Sequence, residues 1–207
     1  MPETSQLEIA YRLTGACYYQ PDPLWQEADL FSNLQQALQA WAPTLANHAA
    51  ALRTAADQTG QTPLLVDYAA LFVGPGTLLA APYGSVYLEK DRQVMGASTQ
   101  AALECYQSAG LALADDFPEL PDHIAVELEF CCYLLQQQLT AEQAGDTAAA
   151  NKWRTERRTF LQQHLGRWAT PFCASQRQQA ETAFYRRLAD LLEGLVLADL
   201  QQMETSG

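Results

Sequence analysis

The sequence predicts an all-α protein, a single-domain bundle of roughly nine to eleven helices with a long apolar loop near residues 73–92. Ala, Leu, Gln and Glu are abundant while Val and Ile are scarce, and this bias favours helices over strands. Apolar residues recur at helical spacing through most of the chain. With 207 residues, 48% of them hydrophobic, the chain can bury a substantial core. We therefore expect one domain over residues 1–207.

Four helices are predicted for the first half of the chain. Three of them carry apolar stripes at helical spacing: Ile9, Leu13 and Cys17; Leu30, Leu34, Leu38 and Trp41; Leu45, Ala49, Leu52 and Ala56. Pro21, Pro43 and Gly60 follow these stripes, and both residue types end helices. Pro63 suits the first turn of the fourth helix, over residues 64–72.

The second half is also predicted to be helical. Ser98 or Thr99 caps one helix, and Asp122 caps a long one after an acidic linker. Three apolar stripes mark the remaining helices: Ile124, Leu128, Cys131, Leu135 and Leu139; Trp153, Phe160, Leu161, His164 and Trp168; Phe184, Leu188, Leu191, Leu192 and Leu195. Pro171 should end the second of these, and the polar tail over residues 201–207 should fray.

Cysteine usage predicts a cytoplasmic protein. The chain has five cysteines and no CxxC motif, which fits a reducing compartment. Cys131 and Cys132 are adjacent, and neighbouring cysteines rarely reach disulfide geometry, so we interpret them as buried packing. Residues 1–6 are polar and no secretory signal follows them. The arginines at 154, 157 and 158 are interpreted as a solvated face.

The net charge of −12 limits the expected partners. It argues against binding nucleic acid or an anionic membrane. An acidic surface suits a cationic ligand, such as a peptide carrying two arginines, although plain solubility explains the same charge. Residues 68–88 are uncharged, but Gly74, Pro75 and Pro82 interrupt them, so we expect no membrane-spanning helix.

The familiar motifs of catalysis do not occur in the sequence. There is no GxxxxGK(S/T) phosphate loop, no HExxH pair and no GxSxG elbow, and the histidines lie far apart. Catalytic groups can still come together from distant positions in a fold. We nevertheless expect no enzyme activity, no metal site and no cofactor.

An apolar loop rich in glycine, proline and tyrosine follows the fourth helix. Its residues include Gly74, Pro75, Pro82, Tyr83 and Tyr87. Such a loop cannot satisfy its own backbone through a ladder of hydrogen bonds, so it must lie against other elements or receive an extended ligand. It is either a rigid groove for a peptide or a structural Ω-loop packed on the helices. In the first case, the groove would take the apolar part of the peptide.

A polar cluster opens the long helix of the second half. Glu119, Pro121, Asp122 and His123 lie within five positions. Asp122 is a good N-cap, and simple capping accounts for it alone. His123 can hydrogen-bond outward and is expected to titrate near neutral pH. Together with Glu119 the cluster could bind a guanidinium or a polar peptide group.

Several short motifs of the chain carry a family resemblance. They are Leu71-Phe72-Val73-Gly74-Pro75, Pro82-Tyr83-Gly84-Ser85-Val86-Tyr87-Leu88, Met95-Gly96-Ala97-Ser98-Thr99, Pro121-Asp122-His123, His164-Leu165 with Trp168 and Phe172, and Phe184-Tyr185. Together they resemble the signature of the TorD/DmsD/NarJ family of cytoplasmic molybdoenzyme chaperones, the redox enzyme maturation proteins. The sequence is most similar to the DmsD and TorD branches.

The resemblance implies an all-helical chaperone that binds the twin-arginine leader and the catalytic subunit of a molybdopterin-containing oxidoreductase. Such a chaperone assists cofactor insertion and delays export until the enzyme is mature. The leader-binding residues that the resemblance implies are Leu71, Phe72, Pro82, Tyr83, Ser85, Gly96, Asp122 and His123. We add Tyr87, Glu119 and Pro121 to the expected site, because they belong to the apolar loop and the polar cluster. Gly76 stands where the DmsD branch has an aromatic residue, and Tyr83 stands where it has tryptophan. These departures imply a shallower pocket or another leader.

Two other classes of function stay open at this point. The chain could be a cofactor-handling enzyme of the same pathway, which turnover would reveal. It could also be an interaction subunit that stays in the mature oxidoreductase, whereas a chaperone is lost from the purified enzyme. The resemblance further implies that protomers can exchange helices to form a homodimer, with the linker over residues 111–121 as the expected hinge.

Overall fold

Ten α-helices make up most of the computed structural model, which describes residues 2–22, 25, 29–75, 78–90, 92–114 and 117–205. In chain order they are α1 (Pro2–Ala16), α2 (Leu30–Trp41), α3 (Ala46–Thr59), α4 (Gln61–Tyr68), α5 (Gly84–Leu88), α6 (Ala97–Ser108), α7 (Ile124–Gln143), α8 (Thr147–Gln163), α9 (Leu165–Gln179) and α10 (Ala183–Thr205). A 3-10 turn at Pro43–Leu45 precedes α3, and a π-helical turn at Ala69–Val73 extends α4. The predicted all-α fold is confirmed.

Seven of the helices pack in a closed cycle, in the order α7, α1, α2, α3, α10, α9, α8 and again α7. Helix α7 contributes fully buried side chains to the core, among them Ile124, Leu128, Cys131, Leu134 and Leu135. The buried residues of all seven helices form one continuous hydrophobic cluster, which confirms the predicted single-domain bundle. None of the described helices is long and apolar enough to cross a membrane.

A buried ion pair lies where α1, α8 and α10 meet. Arg157 of α8 pairs with Asp199 of α10, and the Tyr11 hydroxyl of α1 donates to the same carboxylate over 2.8 Å. Arg157 is only 5% exposed and Asp199 only 1% exposed. The interpretation of the arginine cluster as a solvated face is therefore wrong for Arg157. A buried carboxylate needs a charged partner, and Arg157 is the one that faces it.

The predicted break at Pro171 is wrong, because this proline lies inside α9. The chain breaks earlier, at His164, whose φ of −124° and ψ of −98° are not helical. Trp168 and Phe172, on either side of the proline, are both fully buried. Their packing outweighs the one helical hydrogen bond that the proline removes.

Two helix ends also differ from the prediction. The tail does not fray at residue 201, because α10 continues to Thr205, while residues 206 and 207 lie outside the described ranges. Met203 is buried and its carbonyl accepts a hydrogen bond from Arg158 of α8, which holds the last turn. At the other end of the chain, α1 ends at Ala16 and buries Leu7, Ala10 and Tyr11. Of the predicted stripe, Ile9 and Leu13 are half-buried, and Cys17 is fully buried just after the helix.

The apolar loop contains a short helix that the sequence did not reveal. Residues 78–83 are irregular, and α5 then runs from Gly84 to Leu88. Gly84 lies directly against the indole of Trp168, and a Cβ at this position would come within 2.9 Å of its Nε1. Glycine is therefore required for α5 to pack this closely on α9.

The buried ion pair generates a stability prediction. Asp199→Leu should lower the free energy of unfolding by roughly 3–5 kcal/mol, because it leaves the Arg157 charge buried without its partner. The double variant Arg157→Met/Asp199→Leu should recover most of that loss, since it removes both charges. Denaturant titration measures both changes. Arg154→Met, at an exposed position of α8, is the matched control and should change the free energy by less than about 0.5 kcal/mol. A double variant as unstable as Asp199→Leu alone would contradict this account.

Candidate functional site

Two segments that are distant in sequence pair their backbones at the N-terminus of α7. The Ile124 N–H donates to the Pro82 carbonyl, and the Gly84 N–H donates to the Asp122 carbonyl, each over 2.8 Å. These bonds form an antiparallel bridge between Tyr83 and His123. The structure therefore brings the apolar loop and the polar cluster together at one place.

Asp122 does not cap α7, as the sequence suggested, but holds the loop. Its carboxylate accepts the backbone N–H of Ser85, in the first turn of α5, over 2.7 Å. His123 takes the N-cap position of α7 instead, where its Nδ1 accepts the N–H of Ala125 over 3.2 Å. The backbone bridge turns the Asp122 side chain towards α5, and the cap therefore falls to the next residue.

His123 is buried between two tyrosines. Its ring stacks on Tyr19 with centroids 6.4 Å apart and meets Tyr83 edge-on at 5.4 Å. Burial lowers the pKa of His123 to about 4, so the expectation that it titrates near neutral pH is wrong. Because Nδ1 accepts a hydrogen bond, the proton of the neutral ring is on Nε2, which lies 3.9 Å from Oε2 of Glu119.

Tyr19, Tyr83 and Glu119 approach the buried histidine, Tyr68 lies near Glu119, and Glu129 binds Tyr19. This tyrosine–carboxylate rim consists of Tyr19, Tyr68, Tyr83, Glu119 and Glu129. The Tyr83 hydroxyl donates to Glu119 over 3.4 Å, and the Tyr19 hydroxyl donates to the exposed Glu129 over 2.9 Å. Burial raises the pKa of Glu119, and burial together with Glu119 raises the pKa of Tyr68. The rim is thus partly desolvated and carries negative charge.

Sequence reasoning missed three members of the rim, Tyr19, Tyr68 and Glu129. Glu129 could have been noticed, because it is a charged residue that interrupts a largely apolar helix. Tyr19 lies in the turn after α1, and Tyr68 ends α4. Tyr68 lies directly before the segment that carries the Leu71-Phe72-Val73-Gly74-Pro75 motif, whereas Tyr19 has no motif around it. Nothing in the sequence indicates that either tyrosine approaches His123 and Glu119.

Six of the predicted leader-contact residues are buried: Leu71, Phe72, Pro82, Ser85, Asp122 and His123. Phe72 packs edge-on against Tyr18 and Tyr185, with centroids 5.9 and 5.5 Å apart. Ser85 contributes its backbone N–H to Asp122 while its side chain is fully buried. These residues support the site from the core and do not line its surface.

Tyr87 and Pro121 also make internal contacts. Tyr87 stacks on Trp168 with centroids 5.8 Å apart, and the Trp168 Nε1–H donates to Glu127 over 3.0 Å. Burial raises the pKa of Glu127 well above its usual range, which favours the protonated acid. The Pro121 carbonyl accepts the Tyr106 hydroxyl over 2.6 Å. These contacts fix both segments that form the backbone bridge.

Gly96 lies at the start of α6 rather than at the rim. It is the N-cap residue there, so the prediction of Ser98 or Thr99 as the cap is wrong. The Glu89 carboxylate accepts both the backbone N–H and the hydroxyl of Ser98, over 2.8 and 2.7 Å, and occupies the place of a capping side chain. A Cβ at Gly96 would come within 2.7 Å of Glu89. Gly76 lies outside the described residues.

A cysteine and a histidine approach each other elsewhere in the molecule. Cys105 Sγ lies 3.5 Å from His164 Nε2. Burial raises the pKa of the Cys105 thiol and lowers the pKa of His164. Both shifts favour a neutral thiol beside a neutral imidazole, whereas an activated nucleophile needs the thiolate. Within the described ranges, no three His, Cys, Asp or Glu side chains converge as metal ligands do.

The fold is that of the redox enzyme maturation proteins. A crystal structure of a protein from Archaeoglobus fulgidus, described as a redox enzyme maturation protein, matches it with a TM-score of 0.53 and 20% sequence identity. The match covers 95% of this chain and 93% of that one. The overall fold is therefore a known architecture.

The chain belongs to the nitrate reductase delta subunit family, whose model matches residues 32–174. It is 31% identical over 163 residues to the chaperone protein TorD of a Psychrobacter species, a match that covers 75% of this chain and 72% of that protein. It is 28% identical over 191 residues to a Haemophilus influenzae protein described as a Tat proofreading chaperone DmsD, covering 89% and 85% of the two chains. The resemblance to the TorD/DmsD/NarJ family is confirmed.

The buried His123 generates a prediction about pH. Its pKa in the folded protein is about 4, against an ordinary 6.5, so acid protonates this residue in the unfolded chain first. Its contribution to stability is therefore complete above about pH 6.5 and is lost as the pH falls towards 4, by about 2–3 kcal/mol at pH 4.5. Urea unfolding across this range measures the loss.

His123→Asn tests the origin of that loss, because asparagine is a good N-cap that does not titrate. The variant should show a correspondingly smaller loss on acidification, while the half-buried His48→Asn should behave like the wild type. If His123→Asn loses stability as steeply as the wild type, burial of the neutral ring is not the cause.

Proposed function

We propose that this protein is a cytoplasmic chaperone that binds the twin-arginine leader of the catalytic subunit of a molybdopterin-containing oxidoreductase. It assists cofactor insertion and holds back export until the enzyme is mature, without catalysing a reaction itself. The relatives support this role, since one is named chaperone protein TorD and another is described as a Tat proofreading chaperone. The chaperone domain extends over residues 1–207.

The tyrosine–carboxylate rim is the observation that carries the proposal. Glu119 and Glu129 offer carboxylates to guanidinium groups, and charge-assisted hydrogen bonds of this kind are the strong ones. Tyr19, Tyr68 and Tyr83 are only partly buried, so their ring faces can contact the arginine side chains and the apolar residues of a leader. The net charge of −12 adds long-range attraction for a cationic peptide.

His123 contributes as a neutral hydrogen-bond donor. Its Nε2–H points towards Glu119, at the inner edge of the rim. The ring is only 3% exposed, so it acts beside Glu119: a neutral His123 does not repel the arginines, as a charged imidazolium would. The buried residues Phe72 and Ser85 act indirectly, because they hold the loop that presents Tyr83.

Binding to the leader generates the first prediction of this proposal. A synthetic peptide with two adjacent arginines followed by an apolar stretch should bind, and replacing both arginines by glutamine should weaken binding. Calorimetry measures both affinities. Glu119→Gln should weaken binding of the arginine peptide by about tenfold, because it removes one charge-assisted bond. Glu156→Gln, at an exposed position of α8, is the matched control and should bind normally. Equal affinity for both peptides would contradict the proposed function.

The bridge between the two segments predicts that Tyr83 and His123 act in one site. Tyr83→Ala removes apolar contact and His123→Leu removes the donor, and each should weaken leader binding by about 1–3 kcal/mol if it is an anchor. The melting temperature must be measured beside the affinity, because His123 is also the N-cap of α7. Folded variants that both bind normally would show that these residues do not share a peptide site.

A further inference from the structure

An apolar cavity of about 250 Å³ lies beside α7, between this helix and the segment that follows α6. Its apolar walls come from both sides: Leu111, Leu113, Phe117, Val126, Phe130 and Tyr133. Glu129 lines the same cavity and is also part of the tyrosine–carboxylate rim. None of the apolar wall residues belongs to the loop over residues 73–92.

A second cavity connects this one to the rim. It has a volume of about 440 Å³, and Glu129 and Tyr133 line both cavities. Tyr19 also lines the second cavity and stacks on His123. The two cavities are therefore neighbours, and we call the surface from the buried histidine past the exposed Glu129 to the apolar cavity the track. Arg12, which pairs with Glu8 over 3.2 Å, also lines the second cavity. Phe117 of the apolar cavity also lies close to the rim along the chain, since it is two residues before Glu119.

Size and charge both indicate what the track can bind. Sites for small molecules usually have volumes of roughly 300–1,000 Å³, so the apolar cavity suits one or two apolar side chains better than a cofactor. Glu119 places negative charge beside the histidine and Glu129 places it at the edge of the cavity, while the positive charge of Arg12 is compensated by Glu8. A peptide with adjacent cationic and apolar segments is complementary to the track, because its cations can meet the two carboxylates while its apolar segment meets the cavity.

We infer that the apolar stretch of the leader anchors one or two side chains in the cavity between Leu113 and Phe130, while Glu119 and Glu129 contact its arginines. This inference rests on the proposed function and differs from the sequence-based expectation, which put the apolar stretch in the loop. Leu71, Pro82 and Val86 face the core, and the large apolar side chains that the loop exposes are Val73 and Leu79. The cavity beside α7, in contrast, gathers six apolar side chains at one place. The leader follows α7 and leaves the loop as a support for the rim.

Leu113→Ser tests the inference. Leu113 lines the cavity but is only half-buried and lies outside the hydrophobic core cluster, so the variant should keep its fold. It should bind the peptide of two arginines and an apolar stretch about tenfold more weakly than the wild type. For a second peptide, with glycine and serine in place of the apolar stretch, its affinity should equal that of the wild type. Leu197→Ser, which replaces a leucine of α10 that is 50% exposed, is the matched control.

The two peptides separate the failure of this inference from the failure of the proposed function. If the wild-type protein does not distinguish arginine from glutamine in the peptide, the proposed function is wrong. If it does distinguish them but Leu113→Ser binds the apolar peptide as tightly as Leu197→Ser, only the location of the apolar stretch is wrong.

Photo-crosslinking from position 113 gives a second measurement that does not depend on affinity. Benzoylphenylalanine at position 113 should crosslink to the apolar stretch of the peptide, and the same group at position 197 should not. A crosslink from position 113 to the arginine segment would reverse the proposed polarity and overturn the inference. A crosslink to a second copy of the chain would instead make the cavity a homodimer contact, which also overturns it.

Discussion

The backbone bridge between Tyr83 and His123 is the contact on which the arrangement of the site depends. A loop without regular structure leaves peptide groups that need partners, and here three of them are satisfied by Asp122 and by Ile124, the first residue of α7. The same bonds fix the start of α5, which can then press Gly84 against Trp168. They also place Tyr83 on His123, so that a local hydrogen-bond requirement determines the shape of a surface.

The sequence predicted the helices better than the contacts between them. Apolar spacing located the helices around Leu34, Leu52 and Leu135, because a helix that buries one face has apolar residues repeating at helical spacing. It failed at Pro171 and at Asp122, where tertiary packing overrides a local preference. Proline does disfavour the interior of a helix, and aspartate does favour the N-cap. The free energy that each loses by departing from its preference is small compared with the free energy gained by burying Trp168 or by pairing the backbone of the loop.

The candidate site shows the same division. Tyr83, Glu119 and His123 could be predicted because short motifs mark them, whereas Tyr19 and Tyr68 could not. Those two tyrosines reach the site because α1 and α4 end beside it, which depends on how the helices pack in the folded protein. Leu71 and Phe72 illustrate the opposite case, since a motif marks residues whose place is in the core. A motif records that a residue matters for a site and does not say whether it faces the ligand.

The closed cycle of helices determines when the protein can complete its folding during synthesis. The helix α10 contacts α3 from the first half of the chain and α9 from the second, so it completes the cycle. Asp199 of α10, the shared partner of Arg157 and Tyr11, is also translated late. A nascent chain can form α7 against α1 while the ribosome still holds the last helix, but the core stays open on one side. The protein should therefore mature as a unit after release, rather than segment by segment as it emerges.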